Sequence, residues 1–370
     1  MTEENKLLDN PKCIVLDLGS SFVRVGISGS DNASKTFKTN SPNLHVKSST
    51  PNTPAIQKGK HVDFEKMKTI INYSLSVTNT EKEETKKKVM VVDCLFTRLE
   101  DRERICELLF TNFGVEKVYF ARQQLITKFL FQIESALVLH ISNTTSVVPI
   151  YQDRVIGHAI VKQNYGAYEV TQCLVDLLTK SGNDLTQLGG DPVDIIANLQ
   201  KKLSFVSLDP QSEASKKKVI KIKKKQTGTK GSTNDLVAVS ATNEFFSCME
   251  FLFDPKRYQT NKKKYLGIIE MLKKSLLKSP ILCRAELIAE ICLSGEFCSV
   301  KGLKERIILE LKKEFRDYSI DPEINHSSVQ KNNEWKAASY LAKSILKEDY
   351  WLEKNDFESK RSQVISQKFF

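Results

Sequence analysis

Short apolar runs alternate with amphipathic stretches over most of the chain. The apolar runs, which are rich in β-branched residues, predict strands at 13–18, 23–27, 89–93, 117–121, 136–142, 145–151, 155–161 and 290–295. The amphipathic stretches predict helices at 63–71, 98–113, 168–180, 193–203, 243–253, 264–277, 301–315 and 334–346. Strands that alternate with helices in this way predict an α/β body around a largely buried sheet.

Two strand–turn–strand units stand out in this pattern. In the first, an apolar run ends at Asp17, turns at Gly19-Ser20-Ser21 and returns as a strand that carries Arg24. The backbone N–H groups of such a turn can bind an anion, although a plain hairpin with a Gly-Ser turn has the same pattern. A second unit covers 136–151. Its recurrence indicates an internal duplication, with two lobes and a central cleft between the hairpins.

Composition narrows the class of protein. A chain of 370 residues with 40% hydrophobic content is long enough for one two-lobed body or two domains. No apolar run approaches the length of a membrane span, and the polar start of the chain does not resemble a signal peptide. The eight cysteines are scattered without a Cys-x-x-Cys pair, and the five histidines have no ligand spacing. We therefore expect reduced, buried thiols in an intracellular protein, and no metal site.

The net charge of +11 comes mostly from one segment. Eight lysines and no acidic residue lie between Ser215 and Gly231, from Lys216 to Lys230, so the remainder of the chain carries only +3. No aromatic residue is interleaved with these lysines, as base stacking would require, and no nucleic-acid-binding motif is present. The sequence therefore predicts a solvated, disordered insert at about 211–234, with no nucleic-acid partner.

Five segments in order give the chain a resemblance to actin and the actin-related proteins. The first is the hairpin with Asp17 and Arg24; the others are 148–151 with 158–160, 203–209, 293–295 with 302–303, and 335–342. The resemblance covers nearly the whole chain. It implies the actin-like fold, a duplicated two-lobed α/β fold with a central cleft that is also found in hexokinase. The first lobe would then comprise 1–134 with 333–370, and the second lobe 135–332.

The resemblance also implies a nucleotide site, of which only part is present. The residues retained are Asp17, Gly19, Ser20, Ser21, Arg24 and Gly295, with Gln123 at a water-orienting position. The second phosphate loop of the family, Asp-Ser-Gly-Asp-Gly, is replaced here by residues 139–143, and Ser146 stands where a histidine is expected. Leucine at 139 offers Mg²⁺ no oxygen ligand.

Two further departures fall at Glu296 in the adenine loop and at Lys201 at the ribose contact. We therefore expect no catalysis and no metal site. ATP or ADP as a structural ligand stays open. The alternative for the retained residues is that the hairpins turn at these positions in every version of the fold.

A shortened segment favours one branch of the family. About fifty residues would be expected between the first hairpin and the helix at residue 63, but only the polar stretch 30–61 is present, which predicts a truncated second subdomain. This resembles the actin-related proteins at the pointed end of dynactin, numbered ten or eleven. The resemblance implies a cleft, including Phe129, Leu341 and Phe370, that receives a loop from the neighbouring filament subunit. The alternative is that these three are ordinary core residues.

The sequence thus predicts a non-catalytic subunit that caps the pointed end of the actin-like filament of dynactin and supports dynein-based microtubule transport. Its expected partners are filament subunits and other pointed-end subunits, with dynein as an indirect partner, in the cytoplasm and cytoskeleton. Two alternatives remain. One is an actin-related subunit of a nuclear chromatin-remodelling complex, for which the lysine run would serve as a nuclear address. The other is a divergent ATPase of the same fold.

Overall fold

The computed structural model describes residues 11–39, 55–57, 60–61, 63–78, 87–131, 133–213, 218–223, 236–258, 265–295, 297–315, 323–326 and 333–369. The chain divides into two compact units, which are described separately. The first unit comprises Met1–Ile133 with Gln330–Phe370, and the second unit comprises Glu134–Val329. The boundaries expected from the sequence, 134 and 333, lie close to these.

The strands and helices of the described residues are numbered in chain order. The strands are β1 (Ile14–Leu18), β2 (Phe22–Ile27), β3 (Lys35–Lys38), β4 (Ile56–Gln57), β5 (Lys60–His61), β6 (Lys88–Asp93), β7 (Lys117–Arg122), β8 (Ala136–Ile141), β9 (Thr145–Tyr151), β10 (Arg154–Val155), β11 (Val161–Gln163), β12 (Lys218–Lys223), β13 (Leu236–Ala241), β14 (Glu290–Gly295), β15 (Glu323–His326) and β16 (Leu352–Glu353). The helices are α1 (Phe64–Ser76), α2 (Leu99–Glu107), α3 (Gln123–Phe131), α4 (Ala167–Lys180), α5 (Pro192–Leu203), α6 (Glu244–Ser247), α7 (Ile268–Lys278), α8 (Arg284–Ala289), α9 (Leu303–Glu314), α10 (Asn333–Ser344), α11 (Lys354–Lys360) and α12 (Ser362–Phe369).

The first unit is built on a mixed sheet with the strand order β16-β7-β6-β1-β2-β3. The central strand β1 is antiparallel to β2 and parallel to β6, and β6 is parallel to β7. All five residues of β1 are buried. Ile14 and Leu16 face one apolar core, whereas Val15 faces a second core on the opposite side of the sheet. Helices therefore cover both faces, as the continuous apolar run at the start of the chain predicts.

The second unit repeats this arrangement. Its sheet has the order β10-β9-β8-β14-β15, and β11 also pairs with β9. Here β8 is the central strand: it is antiparallel to β9 and parallel to β14, and β14 is parallel to β15. A strand flanked by an antiparallel hairpin partner on one side and a parallel crossover strand on the other occurs in both units. The predicted internal duplication is confirmed.

Several local predictions are confirmed and others are wrong. Helix α1 begins after Asp63, whose carboxylate accepts a hydrogen bond of 3.1 Å from the backbone N–H of Lys66, as a helix cap does. The predicted strand 155–161 is interrupted by a 3₁₀ turn at Gly157–Ala159. The helix predicted at 98–113 is α-helical only to Glu107 and continues as a π-helical turn at Leu108–Asn112. All eight cysteines are free, and seven of them are buried.

The expectation of a disordered lysine-rich insert is wrong for residues 218–223. These residues form β12, which pairs with β13 from Lys218 opposite Ala241 to Lys223 opposite Leu236. The reason is an apolar alternation within the basic run: Ile222 is buried, and Ile220 packs against the core of the second unit. The amino-acid composition does not show that apolar residues recur at every second position of this segment. Residues 211–213 at the start of the predicted insert are described, whereas 214–217 and 224–234 lie outside the described residues.

The packing of Trp335 gives a test of the first unit. Trp335 is fully buried, and its indole N–H donates a hydrogen bond of 2.9 Å to the carbonyl oxygen of Val15 in β1. We expect Trp335→Phe to lower the free energy of unfolding by about 1–3 kcal/mol, because the hydrogen bond and part of the packing are lost. Tyr350→Phe changes a half-exposed aromatic residue in the same unit and should stay within about 0.5 kcal/mol. Urea unfolding followed by circular dichroism measures both; equal values for the two variants would contradict this role of Trp335.

Candidate nucleotide site

Asp17 and Arg24 form an ion pair close to the turn of the first hairpin. The two residues stand opposite each other on β1 and β2, and Nη1 of Arg24 lies 2.7 Å from Oδ2 of Asp17. Gln123, at the start of α3, donates a hydrogen bond of 3.4 Å to Oδ1 of Asp17. Burial raises the pKa of Asp17 above its ordinary value, and the positive charge of Arg24 offsets part of this rise. Both carboxylate oxygens thus have partners within the unit.

The turn at Gly19-Ser20-Ser21 is held by Thr39, which lies outside the motif that the sequence predicts. Thr39 is buried; its hydroxyl donates to the carbonyl oxygen of Gly19 at 2.7 Å, and its backbone N–H donates to that of Ser21 at 3.1 Å. A Cβ atom on Gly19 would lie 2.5 Å from the carbonyl oxygen of Phe22, so the turn requires glycine. Ser21 is exposed, and Ser20 is half-buried. This fixed turn fits the binding of an anion such as a phosphate group.

The second hairpin offers no comparable chemistry. Leu139 lies fully buried in the core of the second unit. His140 is buried beside β14, where its Nδ1 lies 2.8 Å from the hydroxyl of Ser294. Ser146 stands opposite His140 on β9, and its buried hydroxyl has no hydrogen-bond partner among the described residues. No residue at these positions supplies the carboxylates that a catalytic Mg²⁺–nucleotide complex needs, so these residues do not fit that group.

The packing of two strands explains why position 295 is a glycine. It ends β14 with φ +93°, and a Cβ atom there would lie 2.1 Å from the carbonyl oxygen of Ile141 at the end of β8. Close approach of two strands therefore requires glycine at this position whether or not a nucleotide binds. Gly295 belongs to the second unit, whereas Asp17, Arg24 and the turn belong to the first. Lys201 is exposed on the last turn of α5, and Glu296 lies outside the described residues.

A buried ion pair at the end of β6 was not predicted from the sequence. Nε of Arg102 lies 2.7 Å from Oδ2 of Asp93, and both side chains are at most 1% exposed. Asp93 ends β6 and stands in register with Arg122 at the end of β7. Burial and the charge of Arg102 lower the pKa of Arg122 below its ordinary value. A signal was present, because Arg102 lies on the apolar helix face that also carries Ile105.

The carboxyl ends of parallel strands meet at one edge of a sheet, and ligands of open α/β sheets bind at such edges. In the first unit, β1, β6 and β7 bring Asp17, Asp93 and Arg122 to this edge. The edge is thus lined by charged groups that largely neutralise one another. Within the described residues, no group of three or more His, Cys, Asp or Glu side chains is arranged to hold a metal ion.

Of the three predicted partner-binding residues, Phe129, Leu341 and Phe370, only Leu341 has a described side chain. Leu341 is only 4% exposed and packs with Trp335 and Val15 in the core of the first unit. This position agrees with the alternative that Leu341 is a core residue, because it presents almost no surface to a partner. Phe370 and the side chain of Phe129 lie outside the described residues. One turn after Leu341, Ile345 is 36% exposed and does reach the surface.

Comparison with known proteins decides the family, because a family model described as Actin matches residues 8–370. The chain belongs to the actin family. Actin-like protein 7A of Homo sapiens is 24% identical to it over 373 aligned positions, which cover 94% of this chain and 81% of the relative. Actin-like protein 7A of Mus musculus is 23% identical, with 97% and 83% covered. The prediction of an actin-like α/β fold is confirmed, and the chain is an actin-related protein.

Actin-family proteins are typically cytoskeletal. The predicted cytoskeletal location agrees with membership of this family. Within the ranges that the structure describes, no helix combines the length and hydropathy that a membrane span needs.

The Asp17–Arg24 pair can be tested through the pH dependence of stability. Arg24→Met removes the charge and keeps the aliphatic stem, so Asp17 is left buried without its counter-charge. We expect the free energy of unfolding near pH 8 to fall by about 3–5 kcal/mol. The pKa of Asp17, already raised by burial, rises further in the native state. The native state then binds a proton that the unfolded chain releases, so the stability of the variant falls as pH rises above the ordinary aspartate pKa.

The loss should therefore be smaller near pH 5 than near pH 8. Denaturant unfolding at both pH values measures it. Asp17→Asn combined with Arg24→Met removes both charges and should recover part of the stability. An equal loss at the two pH values would show that Arg24 acts through packing and not through its charge.

Proposed function

We propose that this actin-related protein is a non-catalytic subunit that caps the pointed end of the actin-like filament of dynactin. The observation that carries the proposal is the short connection between β3 and α1. Only residues 39–63 separate these elements, and their described secondary structure is the small β4–β5 pair. The resemblance to actin implies that a larger subdomain stands here in filament-forming members. Its exposed loop contacts the next subunit toward the pointed end.

The two ends of a filament differ, which explains why the subunit at the pointed end can lack the larger subdomain and its loop. A subunit at the pointed end has no neighbour beyond it, so it does not need a loop that reaches forward. It still needs a surface that receives the loop of the subunit behind it. A chain with the receiving surface and without the loop can join a filament end and cannot be extended. This asymmetry favours a cap over an ordinary filament subunit.

We assign the receiving surface to the exposed end of α10 and the segment after it, instead of to Leu341. Ile345 is 36% exposed and Tyr350 is 52% exposed, so both can contact a partner. They follow the buried Leu341 in sequence, and the rigid core around Trp335 supports this part of the chain. Exposed aliphatic and aromatic side chains on a rigid support are typical anchors of protein interfaces.

The site supports a protein without catalytic turnover. Leu139 and Ser146 replace an acid and a histidine of the family pattern, and Asp17 is already paired with Arg24. ATP or ADP, if bound at the first turn, would stabilise the folded protein by mass action. We place the protein in the cytoplasm and cytoskeleton, with filament subunits and the other pointed-end subunits as direct partners and dynein as an indirect one.

We expect the purified protein to release no phosphate from ATP above the level of an Asp17→Asn variant. Phosphoryl transfer needs a held metal ion and an oriented water, and each loss slows it by orders of magnitude. A steady-state phosphate-release assay makes the comparison. Turnover that disappears in the Asp17→Asn variant would favour the alternative of a divergent ATPase.

A filament-end assay tests the capping proposal directly. Purified protein is added to actin-like filaments whose barbed ends are blocked, and the growth of the pointed ends is measured. We expect the wild-type chain to slow this growth, and we expect Ile345→Asp to weaken the effect at least about tenfold because a charge is placed in an apolar contact. Leu309→Asp is the control, since Leu309 is 37% exposed on α9 of the second unit.

Two results would contradict the proposal. The first is undisturbed pointed-end growth in the presence of the wild-type chain. The second is an equal effect of Ile345→Asp and Leu309→Asp, which would show that the receiving surface does not lie near Ile345. Co-purification with remodeller subunits instead of dynactin subunits would favour the nuclear alternative.

A further inference from the structure

The hairpin β12–β13 stands apart from the main sheet of the second unit. It forms a separate two-stranded sheet, and three of the six residues of β12 are lysines. One face is anchored on the body, because Ile222 is buried and Ile220 packs against the core. On the opposite face Val219 is 61% exposed and Lys221 is exposed. The strand is therefore amphipathic and is held in place by its aliphatic side chains.

The two edges of this hairpin differ. On the β13 edge, the side chain of Asn183 hydrogen-bonds to both backbone groups of Ser240. Its Oδ1 accepts a hydrogen bond of 2.7 Å from the N–H, and its Nδ2 donates one of 2.8 Å to the carbonyl oxygen. An added strand cannot use those groups while Asn183 holds them. On the other side, β12 pairs with no strand but β13 among the described residues. The edge of β12 is thus the one that can accept a further strand.

We propose that β12 is a docking strand for an extended acidic segment of a partner protein, which adds to the hairpin as a third strand. The alternation along β12 defines the chemistry of this segment. Acidic side chains would lie beside Lys221 on the exposed face, and aliphatic side chains would lie beside Ile220 and Ile222 on the inner face. Backbone hydrogen bonds give such strand addition its affinity, and alternate side chains give it specificity.

The concentration of charge in this part of the chain supports an acidic partner. Eight lysines and no acidic residue lie between Ser215 and Gly231, and they account for most of the net charge of +11. Lysine on an edge strand also has a simpler role, which is to prevent unwanted pairing between edges. That role predicts no binding of a complementary strand, so an experiment separates the two.

The experiment uses the full chain and a short fluorescent peptide of alternating glutamate and valine. A second peptide has the same composition, but its glutamates and valines form separate blocks. We expect saturable binding of the alternating peptide by fluorescence anisotropy, weaker binding at higher salt, and at least about tenfold weaker binding of the blocked peptide. Hydrogen exchange should slow within Lys218–Lys223 when the alternating peptide is bound.

Variants test the contribution of Lys221. We expect Lys221→Glu to weaken binding about tenfold and Lys221→Gln to give an intermediate value, because a favourable cross-strand charge pair becomes unfavourable or neutral. Lys274→Glu on α7 is the matched control, since it reverses an exposed lysine in the same unit away from β12. Circular dichroism verifies that each variant is folded.

Three results would overturn the proposal. The first is the absence of saturable binding of the alternating peptide, which leaves the lysines as edge protection. The second is equal binding of the two peptides, which shows bulk charge attraction without strand addition. The third is an equal loss of binding in Lys221→Glu and Lys274→Glu, which places the contact elsewhere. None of these results bears on the filament-end assay, so the capping proposal stands or falls independently.

Discussion

A carboxylate at the end of a strand that is buried on both faces must be neutralised, and this requirement fixes the first hairpin. Every residue of β1 is buried, including Asp17, and Arg24 stands directly opposite on β2. A shift of one residue in the pairing would turn Arg24 to the other face of the sheet and leave the carboxylate without its partner. The ion pair, the register of β1 with β2 and the turn held by Thr39 therefore depend on one another.

The second unit repeats the topology without repeating this charge. In each hairpin the equivalent position is the pair just before the last pair of the ladder. It is Asp17 with Arg24 in the first unit and His140 with Ser146 in the second. The neighbour on the parallel strand is Val92 in the first case and Ser294 in the second. Packing of the central strand is thus kept in both units, whereas a charged pair at this position is present only in the first.

The lysine-rich segment shows how composition and periodicity can give opposite predictions. Its high charge predicts disorder, because few apolar groups are available to offset the entropy of ordering the chain. The alternation of Ile220 and Ile222 with Lys221 predicts a strand, and the structure follows the alternation. Two aliphatic side chains on an existing core are enough to order a strand that a neighbouring strand already supports. The exposed face is then free to carry charge.

The sequence alone determined the features that depend on neighbours in the chain. The alternation of apolar and polar residues predicted the strands around both hairpins, and Asp63 predicted the start of α1, because a strand face and a helix cap involve residues only a few positions apart. The order of five such short motifs along the chain carried the resemblance to the family. The absence of acids from the second hairpin was visible without coordinates, since Leu139 and Ser142 can be read directly.

Only the tertiary structure decided which distant residues meet. Thr39 bonds to the turn at Gly19, and Arg102 pairs with Asp93. The pairing of Trp335 with Val15 spans most of the chain, and it buries the helix face that carries Leu341. An apolar residue on a helix has the same sequence pattern whether it faces a core or a partner. The physical reason is that burial depends on what packs against a side chain, and those contacts come from segments that local sequence does not specify.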